Sequence, residues 1–102
     1  MIKAKVLTHN GSYLSFSCEG HAEFEDTGKD IVCAAVSMLV INTVNSIEAL
    51  LPDEKLEASD KSGAIDFIVD SPSEKAVLLL DSLYFGLKQV ESRYGKEYLR
   101  FE

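Results

Sequence analysis

Only two cysteines occur in the 102 residues, Cys18 and Cys33. Two are too few for a secreted disulfide scaffold, and they lack the four-ligand spacing of a structural zinc site. Both are expected to be free thiols. No Lys/Arg run could follow a phosphate backbone, and the formal net charge is −7, so direct nucleic-acid binding is disfavoured and a basic partner is the kind such a surface attracts. No apolar stretch is expected to reach the ~20 residues of a membrane span, and the alternating start Met1-Ile2-Lys3-Ala4-Lys5-Val6 does not resemble a signal or transit segment. A cytoplasmic location is the simplest expectation. There is also no phosphate-cradling Gly-rich loop and no Ser-His-Asp elbow sequence. No cofactor is expected. Asp66, Asp70 and Asp81 read as a solvated face, and no metal site is expected.

What is present reads as a single domain over residues 1–102, with 46% hydrophobic and 26% charged residues, large enough for one core. Ile2, Ala4 and Val6 alternate with Lys3, Lys5 and Leu7. After Asn10-Gly11 the alternation resumes through Leu14, Phe16 and Cys18. This predicts a β-hairpin on a type I′ turn. Residues 20 to 29 break the pattern with Gly20, Gly28 and several charges, and read as a mobile loop. From Ile31 to Leu51 the chain suits a helix whose start is buried and whose end surfaces, stopped by Pro52.

A second hairpin is expected from about Lys55 to Asp70 around Ser62-Gly63, because Ile65, Phe67 and Val69 alternate with Asp66, Ile68 and Asp70. Ser71-Pro72-Ser73-Glu74 then reads as a helix start, with Ser71 as N-cap and Pro72 at the first helical position. The helix runs to about Arg93 on a stripe of Ala76, Leu79, Leu80, Leu83, Leu87 and Val90, and Gly95 ends it. Gly86 within it suggests that another backbone comes close. Tyr98 to Phe101 forms a last strand, and Phe67, Tyr84 and Phe85 read as core. The order ββαββαβ predicts an α+β domain, a mixed or antiparallel sheet with two helices packed on it.

The residues that carry chemistry gather around the first helix. If Asp30 is its N-cap, Cys33 lies in the first turn, where free backbone N–H groups and the macrodipole favour an anion. A thiol with an ordinary pKa of about 8.5 needs such help, or an imidazolium neighbour, to act as a nucleophile at neutral pH. His21 is the nearest base in the chain. Ser37 follows Cys33 by four residues and so shares its helical face. Against this stand Glu19, Glu23, Glu25 and Asp26, whose charge disfavours another anion nearby, and the habit of cysteine of packing as a small hydrophobe. From the residues alone, a nucleophile and a packed structural thiol both remain open for Cys33. Cys18, on the face of Leu14 and Phe16, reads as core, and His9 beside the turn as exposed.

Gly20-His21-Ala22 followed by Gly28-Lys29-Asp30-Ile31-Val32-Cys33-Ala34-Ala35-Val36-Ser37 resembles the signature of the ribosomal-processing cysteine protease family, Prp. The resemblance spans nearly the whole chain in length and element order, and its specific part is confined to residues 20 to 37. It implies an endopeptidase that removes a short N-terminal extension from large-subunit ribosomal protein twenty-seven, cutting after a paired-aromatic sequence. It further implies Cys33 as nucleophile, His21 as its base, Gly20, Asp30 and Ser37 as shapers of the site, and a homodimer as the working form. Residues 20 to 29, with Gly20 and Gly28 at their ends and charges in place of a packed apolar pattern, are expected to close over a substrate segment that carries two large aromatic side chains. Two rival readings set against it are a non-enzymatic acidic dimer that binds a ribosomal protein or assembly factor, and a thiol-dependent enzyme acting on small molecules.

Overall fold

The computed structural model describes residues 2–9, 12–19, 27–61, 64–96 and 98–101. Strands β1 (Ile2–His9) and β2 (Ser12–Glu19) are followed by α1 (Thr27–Leu50), then β3 (Lys55–Lys61), β4 (Ala64–Asp70), α2 (Glu74–Tyr94) and β5 (Leu99–Phe101). The ββαββαβ order is the one expected from periodicity. The sheet order is β3-β4-β2-β1-β5, antiparallel throughout except where β5 joins β1 in parallel. Since β4 separates β2 from β3 with two antiparallel pairings, β2 and β3 point the same way, and α1 is the crossover between them. By the same count α2 carries the chain from β4 to the parallel β5. The turns at Asn10-Gly11 and Ser62-Gly63 lie outside the described residues.

Strand alternation sorts the sheet into two faces. Ile2, Ala4, Phe16, Cys18, Phe67, Val69 and Leu99 are buried together with residues of both helices, and the Phe16 and Phe67 rings, directly opposite in register, stack at 5.4 Å. Lys3, Lys5, Asp66, Ile68 and Asp70 are exposed on the other face. The result is two layers, with both helices on one side of the sheet and these described residues exposed on the other.

Helix α2 follows its pattern closely. Ala76, Leu80, Leu83, Leu87 and Val90 are buried, and Gly95, at φ 107°, ends the helix by donating its N–H to the Glu91 carbonyl at 2.9 Å. Its start lies two residues later than expected. The N-cap is Ser73, whose hydroxyl accepts from the Ala76 N–H at 3.2 Å, while Ser71 takes a left-handed conformation at φ 50° that a non-glycine residue adopts at some cost. The Ser73 N–H donates to the Glu54 carboxylate at 2.7 Å. That partner comes from the far end of the preceding hairpin, which explains why a local capping pattern placed the cap wrongly. Phe85 is also a correction, since its ring is exposed. Tyr84 is half-buried, edge-on to Phe101 at 5.3 Å, with the Lys88 ammonium 4.4 Å from the Phe101 ring centre. The space beside Gly86 is taken by the Leu39 side chain, 3.1 Å from where a Cβ would stand, and not by a backbone.

Helix α1 departs further from expectation. It begins at Thr27, so residues 27–29 belong to the helix instead of the loop, and Asp30 is inside it and cannot be its N-cap. Burial does not fade from start to end either. One stripe, Val32, Val36, Val40, Val44 and Ile47, is buried from the second turn nearly to the end, whereas Ile31 and Met38 stand exposed on the outside and Ile41 is exposed beside the stripe. Thr43 beside the stripe satisfies its hydroxyl by donating to the Leu39 carbonyl at 2.8 Å. Ile31–Leu50 does reach the length and apolar composition of a membrane span, contrary to expectation, because the buried and exposed apolar residues add together along one helix. Its valine stripe is part of the core against the sheet.

Candidate active site

The two thiols occupy different environments. Cys18 lies in the middle of the sheet, opposite Ala4 on one side and Ile65 on the other. It is only 6% exposed, and burial pushes its thiol up to about 11, since the thiolate has no water to solvate it. Cys33 lies on α1, half-buried, with its inner side against the core. Both are free. Of the two, Cys33 alone combines accessibility with a position on the edge of the core.

Helical spacing places Asp30, Cys33 and Ser37 at i, i+3 and i+7, on one flank of α1. Ser37 is half-buried like Cys33. Leu39, six residues after Cys33, meets α2 at Gly86, so at 3.6 residues per turn the Cys33 flank is turned away from α2. Thr27 as the first helical residue makes Cys33 the seventh, in the second turn instead of the first. The free N–H groups of α1 belong to its first four residues, a turn before Cys33, and the macrodipole weakens over that distance. A nucleophilic role for Cys33 would therefore depend on a neighbouring base more than on the helix end. Gly20 and His21 lie outside the described residues, as does the rest of the segment 20–26. The structure therefore brings Cys33, Ser37 and position 30 together. Among the described residues no group of three His, Cys, Asp or Glu side chains could hold a metal ion.

Comparison with known proteins identifies the family. The family model described as cysteine protease Prp matches residues 1–99. The ribosomal processing cysteine protease Prp of Bacillus subtilis is 33% identical over an alignment covering 98% of this chain and 95% of that protein. A crystal structure of the essential ribosomal processing protease Prp from S. aureus, in complex with a substrate peptide, superposes with a TM-score of 0.88 at 25% identity, over 100% of this chain and 98% of that one. A crystal structure from Streptococcus mutans gives a TM-score of 0.82 at 30% identity, over 100% of this chain and 92% of that one. With the match running almost from end to end and the fold shared element for element, the chain belongs to the cysteine protease Prp family.

Proposed function

We propose that this protein is the cytoplasmic endopeptidase that removes the N-terminal extension of large-subunit ribosomal protein twenty-seven, cutting after a paired-aromatic sequence, and that it works as a homodimer. The observation that carries the reading is the contrast between the thiols: Cys33 is half-buried on the flank of α1 away from α2, whereas Cys18 is sealed in the sheet with its thiolate disfavoured. The net charge of −7 suits a basic ribosomal-protein substrate.

In the proposed mechanism His21 takes the proton of the Cys33 thiol, and the sulfur attacks the carbonyl that follows the aromatic pair. His21 then gives that proton to the departing amine as the C–N bond breaks, leaving a thioester on Cys33. Water adds to the thioester, the carboxylate product leaves, and the thiol is restored. Gly20, Asp30 and Ser37 shape the site around this pair. Asp30 does so from a position inside the helix rather than as a cap, since it is the fourth residue of α1. No metal or cofactor takes part in the proposal.

The test is incubation of the purified protein, and of its Cys33→Ala form, with a peptide carrying the extension and its aromatic pair, followed by mass spectrometry of the products. Wild type yields the two fragments of a single cut. Cys33→Ala yields none while keeping its fold, because alanine is the better helix former and little buried volume is lost. Comparable cleavage by Cys33→Ala overturns the nucleophile assignment, and the absence of cleavage by wild type overturns the substrate.

A further inference from the structure

The Cys33 flank of α1 continues into a second feature. Ile41, Val44 and Asn45 of α1, Ala58 and Ser59 of β3 and Ile65 of β4 line an open cavity of about 260 Å³. Four of these side chains are apolar, and Asn45 and Ser59 supply a polar margin. Cys33, Ser37, Ile41 and Val44 follow one another at i, i+4, i+8 and i+11, a single row along the helix. The cavity is thus on the same flank as the thiol, between α1 and the β3–β4 hairpin. An apolar cavity of about 150 Å³ accommodates a benzene-sized molecule, so this one has room for one large apolar side chain.

Distance decides which side chain it would be. At ~1.5 Å per helical residue, Ile41 and Val44 lie about 12 and 16 Å along α1 from Cys33. An extended peptide advances ~3.4 Å per residue, which brings its fourth or fifth residue from the scissile bond to the cavity. β3 is one of the two edge strands of the sheet, and an edge offers unpaired N–H and C=O groups to an extended chain. We infer that the cavity between α1 and β3 is a specificity subsite that takes a large apolar side chain of the substrate, about four or five residues from the bond that Cys33 cuts. The inference rests on the proteolytic reading above. Its occupant is the substrate peptide itself, because a chain bound at Cys33 and kept extended along the helix row passes over the cavity.

The experiment uses the full chain and a set of peptides spanning the cut site, each with Leu, Phe, Ser or Asp substituted at one position, with kcat/KM read by mass spectrometry. Wild type is expected to prefer Leu or Phe over Asp by about tenfold or more at one position four or five residues from the bond. Ala58→Phe fills the cavity from an exposed position on β3 and should bring that ratio close to one. Ile41→Ser, which removes an apolar wall without filling the space, should reduce the ratio as well. Leu78→Ser, at an exposed position on α2, should preserve it. Lack of a preference in wild type, or an unchanged preference in folded Ala58→Phe, overturns the subsite. If Ala58→Phe does not fold by circular dichroism, an unchanged ratio in Ile41→Ser overturns it instead. No cleavage of any peptide by wild type counts against the proteolytic reading, which keeps the two failures apart.

Discussion

The chain contains two ββα units built to one plan, and they differ where each hairpin passes into its helix. In the second unit only residues 71–73 separate β4 from α2, and that short link is fastened by the Ser73 cap and by the Glu54 carboxylate on the Ser73 N–H. In the first unit residues 20–26 lie between β2 and α1, and this longer link contains Gly20 and His21. The helices differ in the same sense. α2 turns its apolar face to the core and is capped at both ends, whereas α1 places Cys33 and Ser37 beside its core stripe and leaves Ile31, Met38 and Ile41 exposed. The comparison teaches a division of labour under the proposed function: the second unit is a scaffold, and the first holds the residues proposed to carry the chemistry.

The largest effect on stability should come from breaking the scaffold. Leu83, 2% exposed on α2, leaves a cavity when cut to alanine, and Leu83→Ala is expected to cost about 2–5 kcal/mol in urea unfolding. Peptide cleavage per folded molecule should be retained at temperatures where the variant remains folded. A loss of cleavage greater than the loss of folded protein would show that the second unit does more than support.

The next contrast lies between the thiols. The unfolded chain gives up the Cys18 proton near its ordinary value of 9.0, before the folded protein does at about 11. The native state therefore holds the extra proton between those values, so the stability contributed is complete below about pH 9 and is lost as pH rises through about 11, on the order of 2 kcal/mol. Urea unfolding of wild type and Cys18→Ala at about pH 8 and about pH 11 isolates this part, because the other titrating groups are common to both. The same burial predicts that iodoacetamide modifies Cys33 in the folded protein and reaches Cys18 only on unfolding, as mass spectrometry of the labelled peptides would show. Equal labelling of both would remove the contrast on which the site rests.

Ser73→Ala is the smallest of these changes. It removes the hydroxyl that accepts from the Ala76 N–H and should lower stability by about 1 kcal/mol, whereas Ser71→Ala, at the position where a local reading puts the cap, should lack that capping penalty. A larger loss for Ser71→Ala than for Ser73→Ala in parallel melts would reverse the assignment.

Much of the fold was legible because its signals are local. The alternation through Leu14, Phe16 and Cys18 announces a strand and places Cys18 inside, and the spacing of Ala76, Leu80, Leu83, Leu87 and Val90 announces the buried face of α2. Of the site, the Gly20-His21 and Asp30 to Ser37 segments stood out as residue types in a pattern, with Cys33 and Ser37 on one face. The α1 start at Thr27 is not legible from sequence because a helix N-terminus is decided by which N–H groups find partners, and Asp30 looks like a cap wherever the helix begins. Phe85 is not legible from sequence because its neighbours in the chain are apolar, while its own ring is exposed on α2. The cavity lined by Ile41, Val44, Ala58 and Ile65 had no signal in the chain beyond one isoleucine off the valine stripe, since its walls come from three elements.

The sequence by itself determined the element order, the two hairpins and the inward face of α2, because periods of two and of 3.6 residues need only neighbouring side chains and a boundary with water. Tertiary structure alone decided that Glu54 holds the start of α2, that Leu39 fills the space at Gly86, and that Ile41 and Val44 look onto the β3–β4 hairpin. Those are contacts between segments distant in sequence, and they form only when the burial of both helices on one face of the sheet brings the segments together.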